Sequence, residues 1–184
     1  MRTPRAVKDT PVVRGWLAAL TAAAVLLGAC AGGPAPGAWA ASVCEALAPW
    51  RAEIGNLTAR TQQQMTAETT PAQARENLVR LFGGAQQASE QARAEVERAG
   101  VPDVDGGDAV VRRFMASLAA VRDAYAKARD AIAGLDTGHA ERFYDGVAEV
   151  VDVLNQEYGR SALDTTNLES RELKQAFDEV PECH

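Results

Sequence analysis

Three cysteines and two histidines carry the most versatile side-chain chemistry in this chain of 184 residues. They are Cys30, Cys44, Cys183, His139 and His184. A cysteine thiolate is a nucleophile and a metal ligand, and two thiols can pair as a disulfide. The sequence contains no Cys-x-x-Cys pair, so the usual motif for thiol exchange is missing. The chemistry of each cysteine then depends on the redox compartment in which the chain resides.

The first thirty residues have the three parts of a secretory signal. The basic part contains Arg2, Arg5, Lys8 and Arg14. An apolar stretch over residues 15–27 follows, and it is too short to span a bilayer core of about 30 Å comfortably. The segment Leu27-Gly28-Ala29-Cys30 resembles the lipobox of bacterial lipoproteins, in which a leucine stands three residues before an invariant cysteine. That resemblance implies that residues 1–29 form a lipoprotein signal peptide.

The lipobox resemblance further implies that the Cys30 sulfur receives diacylglycerol and that Cys30 becomes the mature N-terminus. A further acyl chain, such as palmitate, is allowed on its amine, and two or more chains are needed for stable anchoring. We therefore expect a protein anchored to the cell membrane through Cys30, on the extracytoplasmic face. The alternative is ordinary signal cleavage after Ala38-Trp39-Ala40, which would release a free secreted protein.

Charge argues against several partners. The whole chain has 19 basic and 25 acidic residues, and removal of residues 1–29 leaves 15 and 24, a net charge of −9. Nucleic-acid binding needs a basic patch, so it is disfavoured. Adsorption to anionic lipid is disfavoured for the same reason, which leaves the anchoring to the acyl chains.

The number of cysteines predicts one disulfide. If Cys30 is lipidated, only Cys44 and Cys183 remain. An exported chain meets an oxidising environment, so these two cysteines should pair. They lie near opposite ends of the folded domain, and closing so long a loop could contribute about 5 kcal/mol on the chain-entropy model. We interpret the bond as a structural staple.

Other candidate chemistry is sparse. The acidic segment 103–108 resembles part of a calcium loop but lacks the glycine and glutamate of an EF-hand, so an acidic turn and helix cap explain it better. His139 has no cysteine or carboxylate at ligand spacing, and His184 is expected to be frayed. No familiar catalytic, phosphate-binding or dinucleotide motif occurs. We expect no metal, no cofactor and no enzymatic activity.

Apolar residues at steps of three and four predict an all-α domain over residues 42–184. Residues 31–41 are rich in Gly, Pro and Ala and predict a flexible tether. The first helix is predicted to begin at Ser42, with a capping box to Glu45. Pro49 should kink this helix, or else its regular part begins there.

Four further helices follow. The second is predicted to begin after the cap Thr70 and to end near Gly100, with a close helix contact at Gly83-Gly84. The third, from about Gly107 to Leu135, has the clearest period and is expected to be the central packing element. The fourth follows residues 136–138, and a short fifth covers roughly residues 167–179.

Short loops between the helices predict an antiparallel four-helix-type bundle, with the fifth helix tied back by the disulfide. Six aromatic side chains lie on the inner stripes: Trp50, Phe82, Phe114, Tyr125, Phe143 and Phe177. Core packing is the preferred interpretation of these rings, and an apolar pocket between helices is the alternative.

The layout resembles a group of small helical lipoproteins and secreted proteins of actinobacteria, which are largely uncharacterised. The resemblance rests on Cys44, the pair Ala176-Phe177 and the ending Pro181-Glu182-Cys183. It supports the architecture and the location, without an activity. Two hypotheses follow: a non-enzymatic structural or interaction module that docks on an envelope protein, and a carrier or sensor that holds a small apolar ligand between its helices.

Overall fold

Five helices and one short 3₁₀ turn dominate the computed structural model, which describes residues 32–161 and 170–184. In chain order they are α1 (Pro36–Gln64), α2 (Pro71–Arg98), α3 (Gly107–Ala133), α4 (Ala140–Ser161), α5 (Arg171–Glu179) and the turn Pro181–Cys183. These ranges contain no strand, so the all-α prediction is confirmed. None of the described helices is long and apolar enough to cross a membrane.

Helix α1 begins earlier than its sequence pattern suggested. Its first residue is Pro36, a residue type whose missing N–H costs nothing in a first turn. The predicted start at Ser42 is therefore wrong, and the Ser42 hydroxyl donates to the Ala38 carbonyl, 3.0 Å away, within the helix. Residues 36–41 are helical rather than a flexible tether, because Trp39 is completely buried. Pro49 lies inside the continuous helix, so the regular part does not begin there.

The boundaries of α2 and α3 agree with the sequence. The Thr70 hydroxyl accepts from the Gln73 N–H at 3.3 Å, and the Gln73 side chain accepts from the Thr70 N–H at 3.0 Å, which completes the predicted capping box. Gly100, just beyond the end of α2, has a φ of +74°, a conformation that favours glycine. Helix α3 begins at Gly107 as predicted and ends within two residues of the predicted position.

The last two helices are also present. Helix α4 follows the predicted loop at residues 136–138. Helix α5 begins after Ser170, whose hydroxyl accepts from the Leu173 N–H at 3.3 Å. The first three residues of the predicted fifth helix, 167–169, lie outside the described residues.

Helix α2 has a more central position than the sequence suggested. It packs along both α1 and α3, and the α2–α3 pair is the most extensive in the fold. Helix α3 was expected to be the central element and shares that position with α2. Helix α4 packs mainly on α3, and α5 packs on α1.

Two apolar clusters fill the bundle, one toward each end. We call the first the Trp39 core; its main members are Trp39, Val43, Leu47, Val96, Phe114, Leu118, Leu173 and Phe177. The second, the Tyr125 core, consists of Leu78, Phe82, Ala85, Val121, Tyr125, Ala128 and Ile132. Helix α5 contributes to the first core, and half-buried valines of α4 pack against the second. The two cores therefore differ in the helix that joins α2 and α3: α5 contributes to the Trp39 core, and α4 packs against the Tyr125 core.

Candidate functional site

The predicted disulfide joins the first helix to the end of the chain. Cys44 of α1 and Cys183 of the 3₁₀ turn are bonded, with their Cα atoms 5.0 Å apart. The bond closes a loop with a sequence separation of 139 residues, and Cys44 is buried within the Trp39 core. This pairing confirms the prediction. Cys30, the predicted lipidation site, lies outside the described residues.

Trp39 is the side chain that sequence reasoning missed. Its indole packs edge-on against Phe114 and Phe177, at centroid distances of 5.5 and 5.9 Å. Its N–H donates to the Gly100 carbonyl at 2.9 Å, so the ring also ties α1 to the end of α2. Extending the α1 stripe backwards in steps of four, from Leu47 through Val43, would have reached Trp39.

The residues before α1 are fixed to the loop between α2 and α3. The Asp103 N–H donates to the Pro34 carbonyl at 2.9 Å. A Cβ added to Gly33 would lie 1.8 Å from the Val101 carbonyl oxygen, so only glycine fits at this contact. The chain is therefore held against the domain from Gly33 onward.

The six predicted inner aromatics pack rather than line one pocket. Five of them are buried: Phe82, Phe114, Tyr125, Phe143 and Phe177. Burial and the neighbouring Tyr158 raise the pKa of Tyr125 to about 12. Trp50 is half-buried, and its indole N–H donates to the Ser89 hydroxyl at 3.0 Å. Trp50 borders a recess, the groove between α1 and α2.

This groove between α1 and α2 has a volume of about 830 Å³ and a mixed lining. Trp50 and several alanines provide its apolar floor. Its charged residues are Glu45, Glu53, Glu95 and Arg98. Three carboxylates against one guanidinium make the groove a poor match for a small apolar ligand, because burying them would cost their hydration.

A smaller recess between α3 and α4, the α3–α4 recess, is predominantly apolar. Its volume is about 200 Å³, and its apolar lining is Ala124, Ala128, Ala131, Val150, Val153 and Leu154. Val153 is 50% exposed and is one of the exposed large hydrophobic residues of the described chain. A salt bridge between Lys127 and Glu157, 3.0 Å long, crosses from one helix to the other beside it.

A charged cluster links α2 to α3. Glu90 accepts from Arg93 of its own helix at 2.7 Å and from Arg122 of α3 at 2.8 Å. These hydrogen bonds, Arg93 first and Arg122 second, hold the pKa of Glu90 at about 2, against an ordinary value of 4.5. The cluster is partly exposed and satisfies its own charges, which is the arrangement of a structural ion pair.

Both histidines have polar neighbours that the sequence did not reveal. The His139 ring lies 3.4 Å from the Asp136 carboxylate, so the expectation of no nearby carboxylate is wrong. Two hydrogen bonds lower the pKa of Asp136: the larger effect comes from the Gly138 N–H and the next from the His139 side chain. The His184 ring lies 3.0 Å from the Asp178 carbonyl, and so this residue is not frayed. Among the described residues, no group of three or more His, Cys, Asp or Glu is placed to hold a metal ion.

The predicted acidic turn lies at the start of α3. Gly106 precedes the helix with a φ of +74°, and Asp108 contributes negative charge to its first turn. A carboxylate in this position interacts favourably with the positive end of the helix dipole.

Searches against protein-family models, curated proteins and solved structures find no match to this chain.

Proposed function

We propose that this protein is a membrane-anchored lipoprotein whose helical domain acts outside the cytoplasm as a non-enzymatic interaction module of the cell envelope. The anchor is Cys30, and the position of the folded domain supports processing there. Cleavage before Cys30 would keep every residue of the Trp39 core. Cleavage after Ala40 would remove Trp39 and Ala40, both completely buried. The disulfide supports an oxidising location, since such bonds persist mainly outside the cytosol.

The α3–α4 recess carries the proposal of an interaction module. Small-molecule sites usually enclose about 300–1,000 Å³, and a recess of about 200 Å³ is smaller than that. Its open shape and the half-exposed Val153 suit one or two apolar side chains projecting from a partner. Helix α4 also carries two of the other exposed large hydrophobic residues, Tyr144 and Tyr158.

A carrier of a small apolar ligand is the second candidate. The size of the groove between α1 and α2, about 830 Å³, favours it, while the carboxylates of that groove oppose it. A ligand that copurifies with the protein and raises its melting temperature would support the carrier instead of the interaction module.

The anchor is tested by intact mass spectrometry of protein extracted from its own membranes. The expected species begins at Cys30, carries a diacylglyceryl group and lacks two hydrogens for the Cys44–Cys183 bond. An unmodified chain that begins at Ala41 would contradict the lipoprotein proposal.

The interaction surface is tested by photocrosslinking in cells. A photoreactive residue at Val153 should give one discrete crosslinked product, and the same residue at Ala52, exposed on α1, should not. A photoreactive residue at Ala131, which also lines the recess, should give the same product. Val153→Glu combined with this probe should abolish the product, whereas the control Ala52→Glu combined with it should not. Equal crosslinking from Val153 and Ala52 would argue against a specific partner at this recess.

A further inference from the structure

The attachment of the N-terminal segment leaves almost no free chain between Cys30 and the domain. A flexible tether over residues 31–41 would reach about 35 Å when extended. Gly33 is instead packed against the Val101 carbonyl, and Pro34 accepts a hydrogen bond from the loop. Two peptide units separate Cys30 from Gly32, so their Cα atoms are at most about 8 Å apart.

The residues beside this attachment belong to one end of the bundle. A Cβ on Gly32 would lie 3.0 Å from an Asp103 carboxylate oxygen, so the chain enters the domain beside the α2–α3 loop. The opposite end contains the α1–α2 loop, with the exposed Glu68. Helix α2 runs between these ends over 28 residues, which corresponds to a length of about 42 Å.

Resting on the proposed anchor at Cys30, we propose that the α2–α3 loop end faces the bilayer and that the domain projects its α1–α2 loop away from the membrane. The partner of this end is the headgroup surface of the phospholipid leaflet whose hydrocarbon region holds the acyl chains of Cys30. Asp103, Asp105 and Asp108 lie at this end and are exposed. Anionic headgroups repel these carboxylates, so the acyl anchor, and not adsorption of the protein surface, keeps the loop near the membrane.

This orientation has a consequence for the α3–α4 recess. The recess lies on the side of the bundle, among residues of the second half of α3 and the middle of α4. In a domain that stands on its α2–α3 loop, this recess stays clear of the bilayer. A partner in the same membrane or in the space outside it can then reach Val153.

Energy transfer to the membrane tests the orientation. The lipidated protein is reconstituted in phosphatidylcholine vesicles that contain an acceptor fluorophore on a lipid headgroup. A fluorescent amino acid replaces either Asp105 or Glu68, which are both exposed and lie at opposite ends of the bundle. We expect several-fold more efficient transfer from position 105 than from position 68.

A spacer variant provides the matched control. Insertion of about 20 Gly and Ser residues between Ala31 and Gly32 gives a flexible reach of about 25 Å. The difference between the two positions should then largely disappear, since the domain can tumble. Equal transfer from both positions without the spacer, in protein whose diacylglyceryl adduct is verified by mass, would overturn the orientation alone. Absence of the adduct would refute the proposed anchor, and the orientation with it.

Discussion

At the scale of single residues, Trp39 stabilises the fold by packing and by a directed hydrogen bond. Its ring is completely buried against Phe114 and Phe177, and its N–H is satisfied by the Gly100 carbonyl. A tryptophan is suited to this position because it combines a large apolar surface with one polar group that needs a partner. Glu90 stabilises the fold in a different way, through ion pairs with Arg93 and Arg122 that lie at the surface and depend on pH.

The loss of stability on substitution of Trp39 should increase with the size of the group that is removed. Trp39→Phe loses the hydrogen bond to Gly100 and part of the ring, and should lower the free energy of unfolding by about 1–3 kcal/mol. Trp39→Ala should lower it by about 3–5 kcal/mol because it leaves a large cavity. Urea denaturation measures both, and Trp50→Phe, at the half-buried edge of the groove, should cost less. An unchanged stability for Trp39→Phe would contradict the assigned role.

Glu90 should make the stability of the domain depend on pH in the acid range. Its pKa is about 2 in the folded protein and is ordinarily 4.5, so the unfolded chain takes up the proton first as the pH falls. The stabilisation is complete above about pH 4.5 and is lost as the pH falls toward 2. Glu90→Gln should cost about 1 kcal/mol at pH 7, since water screens the exposed pair, and should flatten this decline.

Denaturant titrations across that range measure the effect of Glu90→Gln. Glu95→Gln is the control, because the Glu95–Arg98 pair lies within one helix and does not connect α2 to α3. A decline as steep in Glu90→Gln as in the parent would show that other carboxylates cause the acid sensitivity.

At the scale of elements, close approach between α1 and α2 depends on one of two adjacent glycines. A Cβ on Gly84 would lie 2.8 Å from a Leu57 methyl carbon, whereas a Cβ on Gly83 would lie 3.6 Å from Arg129. The predicted close contact at this pair therefore occurs at Gly84, whereas a Cβ at Gly83 would make only an ordinary van der Waals contact. Both glycines weaken the helix, since each has more conformational freedom than alanine in the unfolded chain.

The two alanine substitutions should therefore differ in their effect on stability. Gly83→Ala should raise the free energy of unfolding by about 0.5–1 kcal/mol through helix propensity. Gly84→Ala has the same local benefit but must displace the tip of the Leu57 side chain, and should be less stable than Gly83→Ala by up to about 1 kcal/mol. Thermal and urea unfolding compare them directly. Equal stability of the two variants would mean that Leu57 moves aside without cost.

At the scale of the whole molecule, the disulfide joins the two ends of the described domain. It connects the first helix to the 3₁₀ turn after α5, across a separation of 139 residues. Helix α5 is only nine residues long and would be marginal alone. The covalent link and the burial of Leu173 and Phe177 in the Trp39 core together keep it packed on α1.

Removal of the disulfide should be strongly destabilising. In a chain that begins at Gly32, Cys44→Ser combined with Cys183→Ser should lower the free energy of unfolding by about 3–5 kcal/mol, because the loop is long. Differential scanning calorimetry should show a clear fall in Tm. A reductant should lower the Tm of the parent chain and leave that of the double variant unchanged. A reductant-insensitive parent would contradict the staple interpretation.

Local signals in the sequence determined the helices and most of their boundaries. The capping box at Thr70 and the glycines at 100 and 106 act through neighbouring backbone groups, so short segments suffice to predict them. The disulfide followed from counting cysteines once export was assumed. The tertiary structure decided between the local cap at Ser42 and an earlier start at Pro36, because burial of Trp39 depends on helices distant in sequence and outweighs that cap. It also decided that α5 packs on α1 and α4 on α3, since helix neighbours depend on how all the apolar faces are covered together.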